Sequence, residues 1–98
     1  DELLNLCELA LKGEEKFKPV YKQLEKRHLD AAKGLIALKR QPQVLGNVIQ
    51  TMNHLYDICK GISLIKELSP KTKDFVISFG ERLSAHIISE ALKEKIKD

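Results

Sequence analysis

Val44-Leu45-Gly46-Asn47-Val48-Ile49-Gln50-Thr51-Met52-Asn53-His54-Leu55-Tyr56-Asp57-Ile58-Cys59-Lys60-Gly61-Ile62 is the stretch that decides the fold. Val44, Val48, Met52, Leu55, Cys59 and Ile62 return every three or four residues, the spacing of one face of an α-helix. Leu45, Ile49 and Tyr56 widen that face, so the helix is expected to lie centrally against several others. Lys60-Gly61 marks its expected end or a kink.

Outward from this segment the same periodicity recurs. Toward the N-terminus, Leu3, Leu4, Cys7, Ala10 and Leu11 outline a first helix, stopped by Gly13 where a left-handed cap is easiest. A second runs through Phe17, Val20, Tyr21, Leu24 and His28, with Pro19 expected in its first turn, where a missing N–H costs nothing. The stripe changes phase around His28 to Asp30, which predicts a corner. Leu29, Ala32, Leu35, Ile36 and Ala37 then carry a third helix that ends before Pro42. Gly34 within it weakens the helix by roughly 1 kcal/mol relative to Ala, a cost often accepted for close packing.

Toward the C-terminus, Ser69 before Pro70 reads as an N-cap and first helical residue. Val76, Phe79, Leu83, Ile87 and Ala91 line one face of the helix that follows, with Phe75 and Ile88 beside them. Its charged tail, Lys93 to Asp98, is expected to fray. No strand alternation or repeat interrupts the pattern. The expectation is all-α: residues 1–98 as a single domain, a compact bundle of about five helices with short connections.

Composition agrees. Apolar residues make up 43 % and charged residues 32 % of the 98 residues, a globular balance rather than a disordered one. The net charge of +3 would favour an acidic partner. Nucleic-acid binding is the weaker use of it, since Arg27, Arg40 and Arg82 are dispersed and no aromatic-basic alternation accompanies them. Cys7 and Cys59 fall on apolar faces and read as buried thiols of a reducing compartment. No apolar run approaches a membrane span.

Catalysis needs a nucleophile, an acid or base and a stabiliser that converge. His28, His54 and His86 have no partner at metal-ligand spacing, the glycines are scattered, and the carboxylates sit among lysines as solvated helix faces. The reading is therefore a non-enzyme without metal, cofactor or small-molecule substrate. What stands out instead is Ile62-Ser63-Leu64-Ile65-Lys66-Glu67-Leu68, with more large aliphatics than an exposed connection wants. Either these extend the preceding helix and complete the core, or Leu64, Ile65 and Leu68 line a groove with Lys66 on its rim. Such a groove would take an apolar anchor flanked by acidic residues.

Gln43-Val44 opening a long helix that closes on Lys60-Gly61-Ile62, preceded by Leu29-Asp30 and Ala37-Leu38, resembles the integrase-binding domain of the lens epithelium-derived growth factor and hepatoma-derived growth factor-related family. Lys73-Asp74 is a weaker echo of the final helix. The resemblance covers about two thirds of the chain, from Leu29 onward. Gly61 replaces a second Lys, two residues are missing before Pro42, and Ile62–Leu68 replaces a basic-aromatic connection. The resemblance implies a right-handed bundle related to the N-terminal domain of transcription elongation factor TFIIS. It also implies binding of short motifs in disordered regions of chromatin and transcription proteins, through two interhelical loops. Carried onto this chain, one loop lies at Arg27-His28-Leu29-Asp30, with Asp30 accepting hydrogen bonds from partner backbone. The other lies at Leu64–Leu68.

The function expected from sequence is thus a nuclear, non-catalytic protein-interaction domain. It would bind an acidic and aromatic linear motif through His28, Asp30, Leu64, Ile65, Lys66 and Leu68. Two alternatives stand beside it. One is self-association, or binding of a partner helix, along the Val44–Ile62 seam. The other is nucleic-acid binding by Lys71, Lys73, Lys93, Lys95 and Lys97.

Overall fold

The computed structural model describes residues 2–96. They form α1 (Glu2–Lys12), α2 (Glu14–Leu35), α3 (Gln41–Ile65) and α4 (Pro70–Ile96), with no strand among the described residues. The fold is all-helical and elongated, 49 × 23 × 18 Å, because three of its helices are long. Lys97 and Asp98 of the charged tail lie outside the described residues.

The central helix is as the periodicity requires. Val44, Val48, Met52, Leu55, Cys59 and Ile62 are all buried, and α3 packs against α1, α2 and α4. It does not stop at Lys60-Gly61. It continues to Ile65 and ends at Lys66, whose N–H still makes the helical bond to the Ile62 carbonyl at 2.8 Å while its left-handed φ of 63° turns the chain out of the helix.

The expected corner at His28–Asp30 does not exist, so there are four helices rather than about five. α2 runs unbroken because Phe17, Tyr21, Leu24, half-buried His28 and Ala32 already form one continuous face. Leu29 and Leu35, which suggested a new phase, lie off that face, half-buried and exposed respectively. Pro19 is likewise not in the first turn but inside α2. Both Pro19 and Glu15, whose carbonyl loses its partner, are exposed, so water can serve that carbonyl.

Core packing is mostly aliphatic around one aromatic knot. Phe17 and Tyr21 of α2 meet Tyr56 of α3 at ring-centroid distances of 5.4 and 4.9 Å. The Tyr21 hydroxyl donates to the Met52 carbonyl at 2.8 Å, which satisfies the one polar atom of that buried ring. Leu6 is fully buried in α1 alongside Cys7 and Ala10, while Leu3 and Leu11 are only partly buried. A smaller cluster of Ala32, Ile36 and Val44, backed by Leu45 and Ala91, occupies the end where α2 turns into α3.

Close helix approach occurs at Gly80, not Gly34. A Cβ at Gly80 would overlap Leu3 Cδ1, so this glycine lets the Leu3 side chain of α1 rest on the backbone of α4. At Gly34 nothing lies within 4 Å of where a Cβ would be. α4 starts as expected: the Thr72 N–H donates to Ser69 Oγ at 3.1 Å, and Pro70 is its first residue.

Candidate functional site

The segment Ile62–Leu68 divides between the two readings offered by sequence. Ile62 and Ser63 belong to the core, and the Ser63 hydroxyl donates to the Lys60 carbonyl at 2.7 Å. Leu64 and Ile65 are 75 % and 68 % exposed, while Leu68 packs half-buried against the main core. Exposed Lys66 reaches the Leu11 carbonyl at 3.4 Å, so the end of α3 is tied to the end of α1. Leu64 and Ile65 therefore stand as an apolar point beside a cation, and Leu68 serves the interior.

His28 and Asp30 are not part of that surface. They lie on the continuous α2, with Asp30 exposed. His28 shares a small apolar hollow with Thr51 and Met52, about 18 Å along α3 from Leu64 at 1.5 Å per residue. The imidazole has a structural bond: Nδ1 lies 2.9 Å from the Leu24 carbonyl, which can only accept, so Nδ1 carries the proton. The Val44–Ile62 seam is also unavailable to a partner helix, because the fold uses it for its own core. Of the candidate nucleic-acid contacts, Lys71 and Lys73 lie at the start of α4 and Lys93 and Lys95 at its end, about 30 Å apart. Lys97 lies outside the described residues.

Three features escaped the sequence reading. The first is an apolar face shared by α2 and α4. These two helices touch least of all neighbours, leaving a groove of about 330 Å³ floored by Ala31, Leu35, Ile87 and Ile88. From it Ile88, Leu92 and Ile96 continue at four-residue steps, 57 %, 53 % and 82 % exposed. The second is an ionic clamp. Arg40, between α2 and α3, bonds Glu94 at 2.6 Å and also pairs with Glu90, both on α4. Lys93 and then Arg40 hold the Glu90 carboxyl below its usual range. The third is a polar cleft between α3 and α4 that contains His54 and His86.

The thiols are inert. Cys7 and Cys59 are free, fully buried and in the same core cluster. Burial pushes both thiols up, Cys59 to about 12. Among the described residues no three His, Cys, Asp or Glu side chains are placed to hold a metal ion. No described helix is long and apolar enough to cross a membrane.

Three relatives found among known proteins are aspartokinases, each matched in part. The chain is 42 % identical to the chloroplastic aspartokinase 2 of Arabidopsis thaliana over 40 residues, which is 41 % of this chain and 7 % of that protein. It is 38 % identical to the chloroplastic aspartokinase 1 of the same plant over 45 residues, 46 % of this chain and 8 % of the relative. The aspartokinase of Candida albicans aligns over 92 residues at 22 % identity, 94 % of this chain and 17 % of the relative. The chain therefore spans less than a fifth of the length of these relatives. No family model and no solved structure matches it.

Proposed function

We propose that this chain is a helical segment of an aspartokinase-like polypeptide, and that it seats on the remainder of that polypeptide through the apolar face of α2 and α4. The uncovered stripe Leu35, Ile88, Leu92 and Ile96 carries the reading, because a contiguous row of exposed aliphatics is what a covered helix face looks like when its cover is removed. The alignment of 94 % of the chain with 17 % of a longer aspartokinase supports this, because the rest of such a polypeptide would be available as the cover. On this reading the segment brings no complete catalytic set of its own, and any phosphorylation of aspartate belongs to the whole polypeptide. The test is a chimaera in which this chain replaces the aligned 92 residues of the Candida albicans aspartokinase. Aspartate-dependent kinase activity, abolished by Leu92→Glu, supports the reading. A folded, monodisperse chimaera without activity, or one indifferent to Leu92→Glu, overturns it.

A second reading rests on a different surface. Leu64 and Ile65, exposed beside Lys66, suit the apolar anchor and acidic flank of a short linear motif, as the resemblance to the integrase-binding domain implies. In that case the chain is a nuclear interaction domain whose contact lies at the end of α3, without His28 and Asp30. Titration of the isotope-labelled chain with acidic, Phe-containing peptides tests it. Shifts confined to Leu64–Leu68, lost in Leu64→Ala, support it. Their absence removes it.

A further inference from the structure

We propose that the cleft between α3 and α4 is a binding site for a phosphate group, held by Arg82, His54 and His86 with the amides of Asn47 and Gln50. Neither functional reading above assigns this cleft a role, and the proposal rests on neither of them.

Helical spacing builds the cleft. Asn47, Gln50 and His54 fall at three- and four-residue steps on one face of α3. Phe79, Arg82 and His86 do the same on α4, and the two faces enclose about 400 Å³. Every ionisable group on its walls is a base: one guanidinium and two imidazoles, with no carboxylate. Elsewhere this chain pairs its arginines, Arg27 with Glu2 and Arg40 with Glu90 and Glu94. Arg82 has no carboxylate partner among the described residues.

The guanidinium is also pre-oriented. It lies over the Phe79 ring, 4.6 Å from the centroid, and its Nε donates to the Ser78 carbonyl at 3.4 Å. That arrangement leaves the terminal nitrogens, the fork that suits an oxyanion, without a protein acceptor. On the same helix, His86 Nε2 is buried with no hydrogen-bond partner among the described residues. A buried ring nitrogen without a partner costs free energy; it is closed to solvent as the ring stands, so a small turn of the imidazole toward the cleft is what would give it a ligand oxygen and remove that cost. Glu90, which feels the charge of His86, is already committed to Arg40 and Lys93. Thr51 donates its hydroxyl to the Asn47 carbonyl at 3.0 Å and so adds no free donor.

A phosphate suits these donors better than a carboxylate does. The donor-bearing residues line two facing walls, which suits a tetrahedral group that can offer oxygens to both. A planar carboxylate would serve one wall and leave the other unpaired.

The experiment is a titration of the labelled chain with inorganic phosphate at fixed ionic strength, followed by NMR, with acetate in a parallel series. Saturable shifts at Gln50, His54, Arg82 and His86 are expected. Arg82→Gln should raise the half-saturation concentration about tenfold, the usual worth of one charge-assisted bond, while Lys22→Gln, at an exposed α2 position that does not line the cleft, leaves it unchanged. Circular dichroism confirms that each variant keeps its helices. Non-saturating shifts spread over the lysines overturn the proposal, and so does an unaltered Arg82→Gln titration. Acetate binding as tightly as phosphate overturns the assignment to phosphate.

Discussion

Raising the pH from about 8 to about 10 should destabilise this protein through Cys59. The thiol is fully buried, and burial, with the nearby Cys7 second, lifts it from 9.0 to about 12. Above about pH 9 the unfolded chain has lost this proton while the native chain still holds it, so stability falls as pH rises toward 12. Below about pH 9 both states are protonated and the thiol contributes its full share. With these two values, the loss between pH 8 and pH 10 is about 1.4 kcal/mol, one order of magnitude in the folding constant. The assay is urea unfolding at both pH values under reducing conditions, for the wild type and for Cys59→Ala. Each protein is compared with itself, which cancels the volume lost on substitution. The wild type should lose about 1.4 kcal/mol more than the variant. Equal losses would mean that Cys59 ionises in the folded chain as readily as in the unfolded one, and the burial argument would fail.

Three further outcomes follow from the packing. Gly34→Ala should stabilise the chain by about 0.5 kcal/mol in urea unfolding, since nothing lies within 4 Å of where a Cβ would be and the position is in the last turn of α2, whereas Gly80→Ala should gain less because the tip of the Leu3 side chain must move. Ser69→Ala should cost about 1 kcal/mol, with faster amide exchange confined to the first turn of α4, because the Thr72 N–H loses its acceptor. Met52→Ala should cost about 2–5 kcal/mol by opening a cavity in the core, and Leu64→Ala less than about 0.5 kcal/mol. A Leu64→Ala loss comparable to that of Met52→Ala would show that the end of α3 is core after all.

The helical class and the inner face of α3 were legible because six apolar residues at steps of three and four admit no other regular structure. The break at His28–Asp30 was misread for a physical reason. In a helix with exposed apolar residues, Leu29 and Leu35 imitate a change of phase, and only the partner helices show which leucines are inside. The choice between Gly34 and Gly80 was closed to sequence for the same reason, since close approach is a property of the neighbour. The Arg40–Glu90–Glu94 clamp joins residues 50 and 54 positions apart, beyond any local pattern. At the candidate sites, the aliphatic excess of Ile62–Leu68 was visible, but its division into core and surface depended on where the left-handed Lys66 ends the helix. The polar cleft was invisible because its two walls come from separate helices.

The small cluster of Ala32, Ile36 and Val44 has a dynamic consequence. It is a separate nucleus of burial, joined to the main core only through the helices themselves and braced by the Arg40 clamp on α4. A bundle with two such centres has two thresholds of opening, and the α2–α3 turn with the last turns of α4 can come apart while the aromatic knot stays closed. Whatever lies against Leu92 and Ile96 would then set how often that end of the protein opens.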